Sequence, residues 1–484
     1  MNIAVILEMA ASAGDRPAVT EGGRTLSAAG LRRLAHHAAA RFRDRPAVLY
    51  LGRSHLAYPV ALFGAALAGV PFVPLNYRLS EHQLAELIDR HPGALLLTED
   101  DLDTLLDPAG DPGLRPVPDD RDATAVTLYT SGTTAAPKAA LLRHRHLLAY
   151  VFNTQEFGSA DPADASLVAL PPYHVAGLMN LLTNLYAGRR IVYLPDFDAE
   201  GWLAMVKREG VTHAMVVPTM LARLTADDTP ADVPTLRSLA YGGARCPRPV
   251  LERALRRFSG AGFVGAYGLT ETSSSLCVLG PDDHRRALTD EDPSVRARLG
   301  SVGQPLPGVE VQIRDEGGVP LESGASGLVF VRGEQISGEY EGAGGLDAEG
   351  WFATRDRGRL DADGYLFVEG RADDTIIRGG ENIAPAEIED VLLRHPGIEE
   401  AAVLGLPDPE WGQRLVAVLV GAGDPEEIRA FARQRLRSAK TPDAVVFRPE
   451  LPRTATGKIL RRTLVAELAD VQEESGLQGE SADA

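Results

Sequence analysis

Residues 56–75, LAYPVALFGAALAGVPFVPL, run for twenty positions without a charged side chain, the length of a membrane-spanning helix. Pro59, Pro71 and Pro74 argue against a span, because a proline inside a helix removes a backbone donor and clashes with the preceding turn. A helix over 60–68, a stop at Gly69-Val70-Pro71 and a short buried strand at 72–73 account for these prolines without a membrane. Neighbouring segments repeat the alternation. Residues 26–44 place Leu31, Leu34, Ala38 and Phe42 on one helical face with arginines opposite. Residues 47–51 read as a strand, Ser80-Glu81-His82-Gln83 opens a helix with capping chemistry, and 94–97 read as the next strand. Helix alternating with apolar strand predicts an α/β fold of layered sheets with parallel strands.

The 484 residues, 44% hydrophobic, suffice for about three domains of ~150 residues or for two unequal ones. Acidic residues (67) outnumber Lys and Arg (49), giving a net charge of −18, which disfavours nucleic acid and anionic membrane as general partners. A polyanionic small molecule remains open, since charges beyond about 8 Å are screened and a few local cations suffice. Cys246 and Cys277 have neither metal-binding nor redox spacing and read as buried fillers, so a reducing cytosol is the expected setting. The N-terminus lacks a basic run and meets Glu8 early, so no secretory leader is expected.

Residues 128–138, LYTSGTTAAPK, end an apolar strand in hydroxyls, a glycine and a lysine. Backbone N–H groups and hydroxyls of Thr130, Ser131, Gly132, Thr133 and Thr134 are suited to wrapping an anion, with Lys138 adding a point charge; a polar turn is the alternative. The GxxxxGK[ST] pattern of a Walker A loop is absent. Residues 99–122 read as a surface connection rich in acids, Pro and Gly, and 139–151 as a helix carrying His144 and His146. His174 follows a strand end in PPYHVAGL, where sites in such folds collect. Gly268, Thr270 and Glu271 form a second strand-end cluster with a hydroxyl for phosphate and a carboxylate for magnesium. From 300 to 340 short strands and tight turns predict an antiparallel, β-barrel-like subregion, followed by Asp356 and by Asp361, which reads as a hairpin acid. Beyond Asp374 the pattern is that of a small α+β unit, with the boundary at 371–374. Residues 470–484 have few large apolar side chains and read as a disordered tail.

YTSGTTAAPK, PPYHVAGL, YGGAR, AYGLTET, GWFATRD, GRADDTIIRGGENIAPAEIE and PRTATGKILRR occur in this order along the chain. Together they resemble the acyl-adenylate-forming superfamily, and within it aryl-CoA ligases such as 4-chlorobenzoate–CoA ligase. The resemblance implies a large N-terminal domain (1–371) and a mobile C-terminal lid (372–469) that rotates between two half-reactions. In the first, a carboxylate attacks the α-phosphate of ATP and pyrophosphate leaves; in the second, a thiol attacks the acyl-adenylate. ATP, Mg2+ and coenzyme A are the implied cofactors.

By position, the resemblance assigns Thr130, Ser131, Gly132, Thr133, Thr134 and Lys138 to the β- and γ-phosphates. It assigns Gly243, Ala244, Tyr267 and Gly268 to the nucleotide, and Asp356 with Arg371 to its ribose. Thr270 would bind the α-phosphate, Glu271 would hold Mg2+, and Lys458 would bridge the carboxylate and the α-phosphate. His174 would close an acyl pocket lined by Val175, Ala176, Gly177, Ala266, Ser273 and Ser274. Asp373 falls at the hinge, and Gly379, Gly380 and Trp411 fall where coenzyme A would pass. The sequence departs from the family at Ala135, Ala139 and Arg355, each at a usual glycine, and a Cβ resists left-handed backbone.

The expected activity is therefore a carboxylic acid–CoA ligase acting on a bulky apolar acid, aryl, polycyclic or medium-chain. An enzyme loading a carrier protein and a catalytically weak binding protein on the same scaffold are the alternatives. Both monomer and homodimer stay open.

Overall fold

The computed structural model describes residues 1–468 except 108–109, 111–112, 115, 131–136, 228, 379–380, 410 and 455–456, with the side chain of Asn382 also left out. The 470–484 tail therefore lies outside the described residues.

Ser27 ends a strand and caps the helix Ala28–Phe42, its hydroxyl accepting from the Gly30 N–H at 3.1 Å. That helix buries Leu31, Leu34, Ala38 and Phe42 as the spacing predicts, together with His36. It packs on the charge-free segment, which forms the helix Ala57–Ala68 and is buried on nearly every side. Contact is close enough that a Cβ at Gly64 would sit 2.6 Å from Ala38 Cβ. Gly69 then stops the helix in left-handed backbone (φ 73°), and Phe72–Pro74 enters a sheet. Among the described residues no helix is long and apolar enough to cross a membrane.

Two mixed sheets carry the larger part of the chain. The seven-stranded one runs Ala343–Gly344, Glu339–Tyr340, Lys138–Arg143, Thr124–Thr130, Phe72–Pro74, Val48–Tyr50, Leu95–Leu97. The nine-stranded one runs Gln304–Pro305, Ser274–Leu279, Gly262–Leu269, Ser238–Gly242, His213–Val216, Ala165–Val168, Arg190–Tyr193, Pro17–Glu21, Arg24–Ser27. Their central strands are parallel, with antiparallel pairs at both edges of the nine-stranded sheet and at one edge of the seven-stranded one. A four-stranded antiparallel sheet of Glu310–Arg314, Gly327–Arg332, Phe352–Leu360 and Leu366–Arg371 follows. Asp361 sits in its hairpin, accepting from the backbone N–H groups of Asp363 and Tyr365 and from Arg298. After Asp374 come the hairpin Ile376–Arg378/Glu381–Ile383 and a three-stranded sheet (Ile398–Asp408, Gly412–Gly421, Ala444–Phe447) with cores drawn only from this part of the chain.

Two expectations fail. Residues 99–106 are a helix, capped by Thr98 with Asp101 and anchored by Leu102 and Leu105, so the apolar spacing outweighs the acidic surroundings. Lys138–Arg143 is a strand paired with Thr124–Thr130, and the helix begins only at His144. Here the pairing across the loop overrides alanine's helix propensity.

Candidate active site

Strand Gly262–Leu269 leads into the site through a very tight turn. A Cβ at Gly268 would lie 1.7 Å from the Ser274 carbonyl oxygen, so the return of the chain demands glycine. The turn Thr270–Thr272 follows, and Ser273 (φ 54°) and Ser274 (φ 101°) bend the backbone through left-handed conformations into Ser274–Leu279. The Thr272 hydroxyl holds the turn by donating to the Ser274 carbonyl at 2.8 Å and accepting from the Leu269 N–H at 3.0 Å. Thr270 and Glu271 are half-buried on it.

Asp356 faces Arg371 across the four-stranded sheet. Its carboxylate accepts the Tyr267 hydroxyl at 2.5 Å and lies 3.2 Å from Arg371 Nε. The Thr354 hydroxyl accepts the Asp356 N–H at 3.1 Å, and the Thr354 carbonyl accepts Arg371 at 2.8 Å. Asp356 is 5% exposed. Burial raises its pKa, against the pull of Arg371, Tyr267 and Lys458, and burial followed by the Asp356 charge holds Tyr267 well above the usual phenol range. The carboxylate is thus oriented by two groups, and its backbone by a third, before any ligand arrives.

Lys458 reaches this cluster from the C-terminal part of the chain. Its loop is closed by the Thr454 N–H on the Lys458 carbonyl (2.8 Å) and the Lys458 N–H on the Thr454 hydroxyl (3.1 Å). The loop is seated against the N-terminal part: Gly457 (φ 81°) comes so close to Thr219 that a Cβ would meet its side chain at 2.8 Å. The lysine pKa is lowered, first by loss of solvent around the ammonium and then by Arg371, while Asp374 and Asp356 oppose the shift. The residue as a whole stays exposed, although protein around the ammonium displaces part of its solvent.

Tyr340 donates its hydroxyl to Glu271 Oε1, and the Glu271 carbonyl accepts the N–H groups of Ser337 (2.9 Å) and Gly338 (3.1 Å). Lys138 Nζ lies 5.7 Å from the centroid of the same Tyr340 ring. Thr130 and Lys138 form the last register pair before the loop, where the Thr130 hydroxyl donates to the Lys138 carbonyl at 3.4 Å. They are the two feet of the phosphate-loop candidate; Ser131, Gly132, Thr133, Thr134 and Ala135 lie outside the described residues. Ala139 is ordinary strand, 5% exposed, so its Cβ creates no conflict. Arg355 does occupy a glycine-type position, exposed with φ 62°, and its charge reaches Tyr340.

His174 precedes the helix Val175–Ala187 without capping it by its side chain. Its ring lies tilted against that of Tyr173, with centroids 4.6 Å apart, and Tyr173 meets Tyr77 at 5.4 Å. Burial, then the Arg78 charge, lowers its pKa to about 4, and its Nε2 has no hydrogen-bond partner. The Tyr173 hydroxyl and the Ser273 Oγ are likewise buried without partners. Val175 and Ala176 are partly buried against the main core. Gly177 departs from the expected lining: a Cβ there would be 2.7 Å from the Pro171 carbonyl oxygen, so its missing side chain permits a close backbone approach and does not open volume. Ala266 pairs with Gly242 in the nine-stranded sheet. Gly243 (φ 84°) and Ala244 follow that strand's end.

Of the remaining candidates, Gly379 and Gly380 lie outside the described residues. Trp411 is 47% exposed with Arg378 5.6 Å from its ring centroid, and Asp373 is exposed in the turn Ala372–Asp374. Sequence reasoning missed Tyr340, Thr354 and Thr219. Tyr340 reaches Glu271 only because Glu339–Tyr340 pairs with Lys138–Arg143 about 200 positions earlier, and no local pattern marks such a contact.

Among the described residues no group of three or more His, Cys, Asp or Glu could hold a metal. A single carboxylate, Glu271, suits Mg2+, which keeps several waters and takes phosphate oxygens alongside one or two carboxylates.

Comparison with known proteins agrees over nearly the whole chain. Residues 7–341 match the family described as AMP-binding enzyme, and 387–458 match the AMP-binding enzyme C-terminal domain. A feruloyl-CoA synthase from Amycolatopsis sp. is 36% identical over 475 residues, covering 92% of this chain and 94% of that one. The fatty acid–[acyl-carrier-protein] ligase ScoC of Streptomyces coeruleorubidus is 33% identical over 489 residues, covering 93% and 92%. The solved o-succinylbenzoate CoA synthetase of Bacillus subtilis, in complex with its acyl-adenylate intermediate, superposes with a TM-score of 0.83 at 30% identity, covering 96% of this chain and 98% of that one.

Proposed function

This chain belongs to the AMP-binding enzyme family, within the acyl-adenylate-forming superfamily of acyl- and aryl-CoA synthetases, and we propose that it activates a bulky apolar acid, most plainly an aryl acid, as an AMP-forming acid–thiol ligase. ATP, Mg2+ and coenzyme A are its cofactors.

Hydroxide is a poor leaving group from a carboxylate and AMP a good one, so the first task is to bring two anions together. Lys458 bridges the attacking carboxylate and the α-phosphate, a role suited to a compact ammonium between crowded oxygens. Thr270 donates to the α-phosphate. Thr130, Lys138 and residues 131–134 grip the departing pyrophosphate. Asp356, pre-oriented by Tyr267 and Arg371, accepts from the ribose hydroxyls through its remaining lone pairs. Gly243, Ala244 and Gly268 line the nucleotide. Glu271 would hold Mg2+, which supplies neutralisation of phosphate charge. His174 with Val175, Ala176, Ala266, Ser273 and Ser274 forms the acyl wall, neutral and weakly paired.

The observation that carries this reading is the seating of the Lys458 loop beside Asp356 and Arg371. The units 1–371 and 372–469 move about Asp373, and rotation brings Gly379, Gly380 and Trp411 to the acceptor. ScoC supports a carrier protein as the alternative acceptor. Pyrophosphate release over a panel of carboxylic acids tests the first step; turnover of acetate as efficient as that of aryl acids would overturn the substrate class. Thioester formation with coenzyme A against a holo carrier protein separates the acceptors.

A further inference from the structure

Arg245 belongs to none of the roles above, yet it ties the two parts of the chain together. It follows the strand Ser238–Gly242 and reaches the helix Pro385–Leu392 beyond the hinge. There its Nη1 donates to the Ala386 carbonyl at 2.9 Å and its Nη2 pairs with Asp390 Oδ2. The two ends of this contact are unequal. The Arg245 side chain is 45% exposed and Asp390 only 24%, and Asp390 Oδ1 is buried with no hydrogen-bond partner. Burial raises the Asp390 pKa and the Arg245 charge opposes it, so the aspartate depends on the arginine while the arginine can turn to water.

We infer that Arg245 is a positioning residue for the adenylation half-reaction, a latch that docks the helix Pro385–Leu392 onto the N-terminal part and thereby keeps Lys458 beside Asp356. Lid rotation detaches Asp390 from Arg245 and returns both charges to solvent, so the latch favours the first half-reaction and is neutral to the second. This inference rests on the adenylating function proposed above.

The asymmetry gives the latch a signature. Arg245→Ala leaves a half-buried carboxylate uncompensated in the docked state, whereas Asp390→Ala removes the group that needs compensation. Arg245→Glu adds repulsion. The expected order of loss in acid-dependent ATP–pyrophosphate exchange is Arg245→Glu, about tenfold, then Arg245→Ala, then Asp390→Ala, within about twofold of wild type. Thioester formation from a supplied acyl-adenylate stays at or above the wild-type rate throughout. The exchanged pair Arg245→Asp/Asp390→Arg restores pyrophosphate exchange. Spin labels at exposed Arg256 on the N-terminal part and exposed Glu426 on the lid report docking without catalysis: the wild type and the exchanged pair show the short distance, and Arg245→Glu shifts the population to a longer one. Unchanged distances in Arg245→Glu, or equal loss of both half-reactions with no rescue by the exchanged pair, would overturn the latch. Wild-type enzyme that shows no exchange with any acid while the distances shift as expected would overturn the adenylating function and leave the latch standing.

Discussion

The two sides of the cleft handle polar atoms in opposite ways. On the nucleotide side both carboxylates have partners: Asp356 holds Tyr267 and Arg371, and Glu271 holds Tyr340. On the acyl side the buried polar atoms His174 Nε2, Tyr173 Oη and Ser273 Oγ have none. A pre-paired network fixes direction and reads charge, since its dipoles need no reorganisation when phosphate arrives. A wall of weakly paired, desolvated groups reads shape, and a polar ligand atom gains there only where it meets one of the orphans. Under the proposed function, this difference would let one scaffold keep its nucleotide while its acids vary.

The largest test of this contrast is Lys458→Ala. Removing the ammonium from the charge-reading side should lower ATP–pyrophosphate exchange about 100- to 1,000-fold, with thioester formation from a supplied acyl-adenylate nearly intact. Equal losses in both steps would show that the lysine serves both chemistries and that the two sides are not separable.

Asp356→Asn comes next. It keeps the shape but removes the charge that Arg371 and Tyr267 orient, and loss of charge-assisted hydrogen bonds should raise KM for ATP about tenfold while leaving KM for the acid within about twofold. Parallel rises in both constants, measured by initial rates at varied ATP and varied acid, would mean that the network spans the cleft.

Much of this frame is legible in the sequence. The helix of 56–75 and the Ser80–Gln83 capping box follow from local rules, and the order of motifs places Lys458, Glu271 and Asp356 in one site. Lys138–Arg143 was not legible, because AALLR suits a helix locally and becomes a strand only against Thr124–Thr130. The left-handed backbone at Arg355 confirms that the position is one where glycine is favoured, whereas Ala139 lies in plain strand, so a family's glycine does not by itself mark a left-handed position. Partners such as Tyr340 for Glu271, or Asp390 for Arg245, depend on pairings across 69 and 145 positions and leave no periodic trace.

A smaller effect separates the sides by pH. The His174 pKa, lowered to about 4 in the fold by burial, lies below its unfolded value of about 6.5, so the unfolded chain takes up the proton first. Its contribution to stability is full above about pH 6.5 and falls away as the pH drops towards 4. His174→Phe should therefore remove part of the acid sensitivity, on the order of 1–3 kcal/mol by pH 4 in denaturant titrations, and leave the rate profile between pH 6.5 and 8 unmoved. A rate profile that lost an ionisation in that range would make His174 a proton-transfer group, and the acyl side would no longer be a passive wall.

The smallest expected change is the sharpest about substrate. Ser273 Oγ has no partner, so Ser273→Ala deletes a desolvated hydroxyl without breaking a bond, and the free energy of unfolding should stay within about 0.5 kcal/mol of wild type. For an unsubstituted aryl acid KM should hardly move. For an acid whose ring carries a hydroxyl or ether placed to meet that oxygen, KM should rise severalfold, because the acid then loses a polar contact with the wall. A ranking of ring-substituted acids against both proteins would show whether this orphan is an incidental gap or a point of polar recognition on the acyl side.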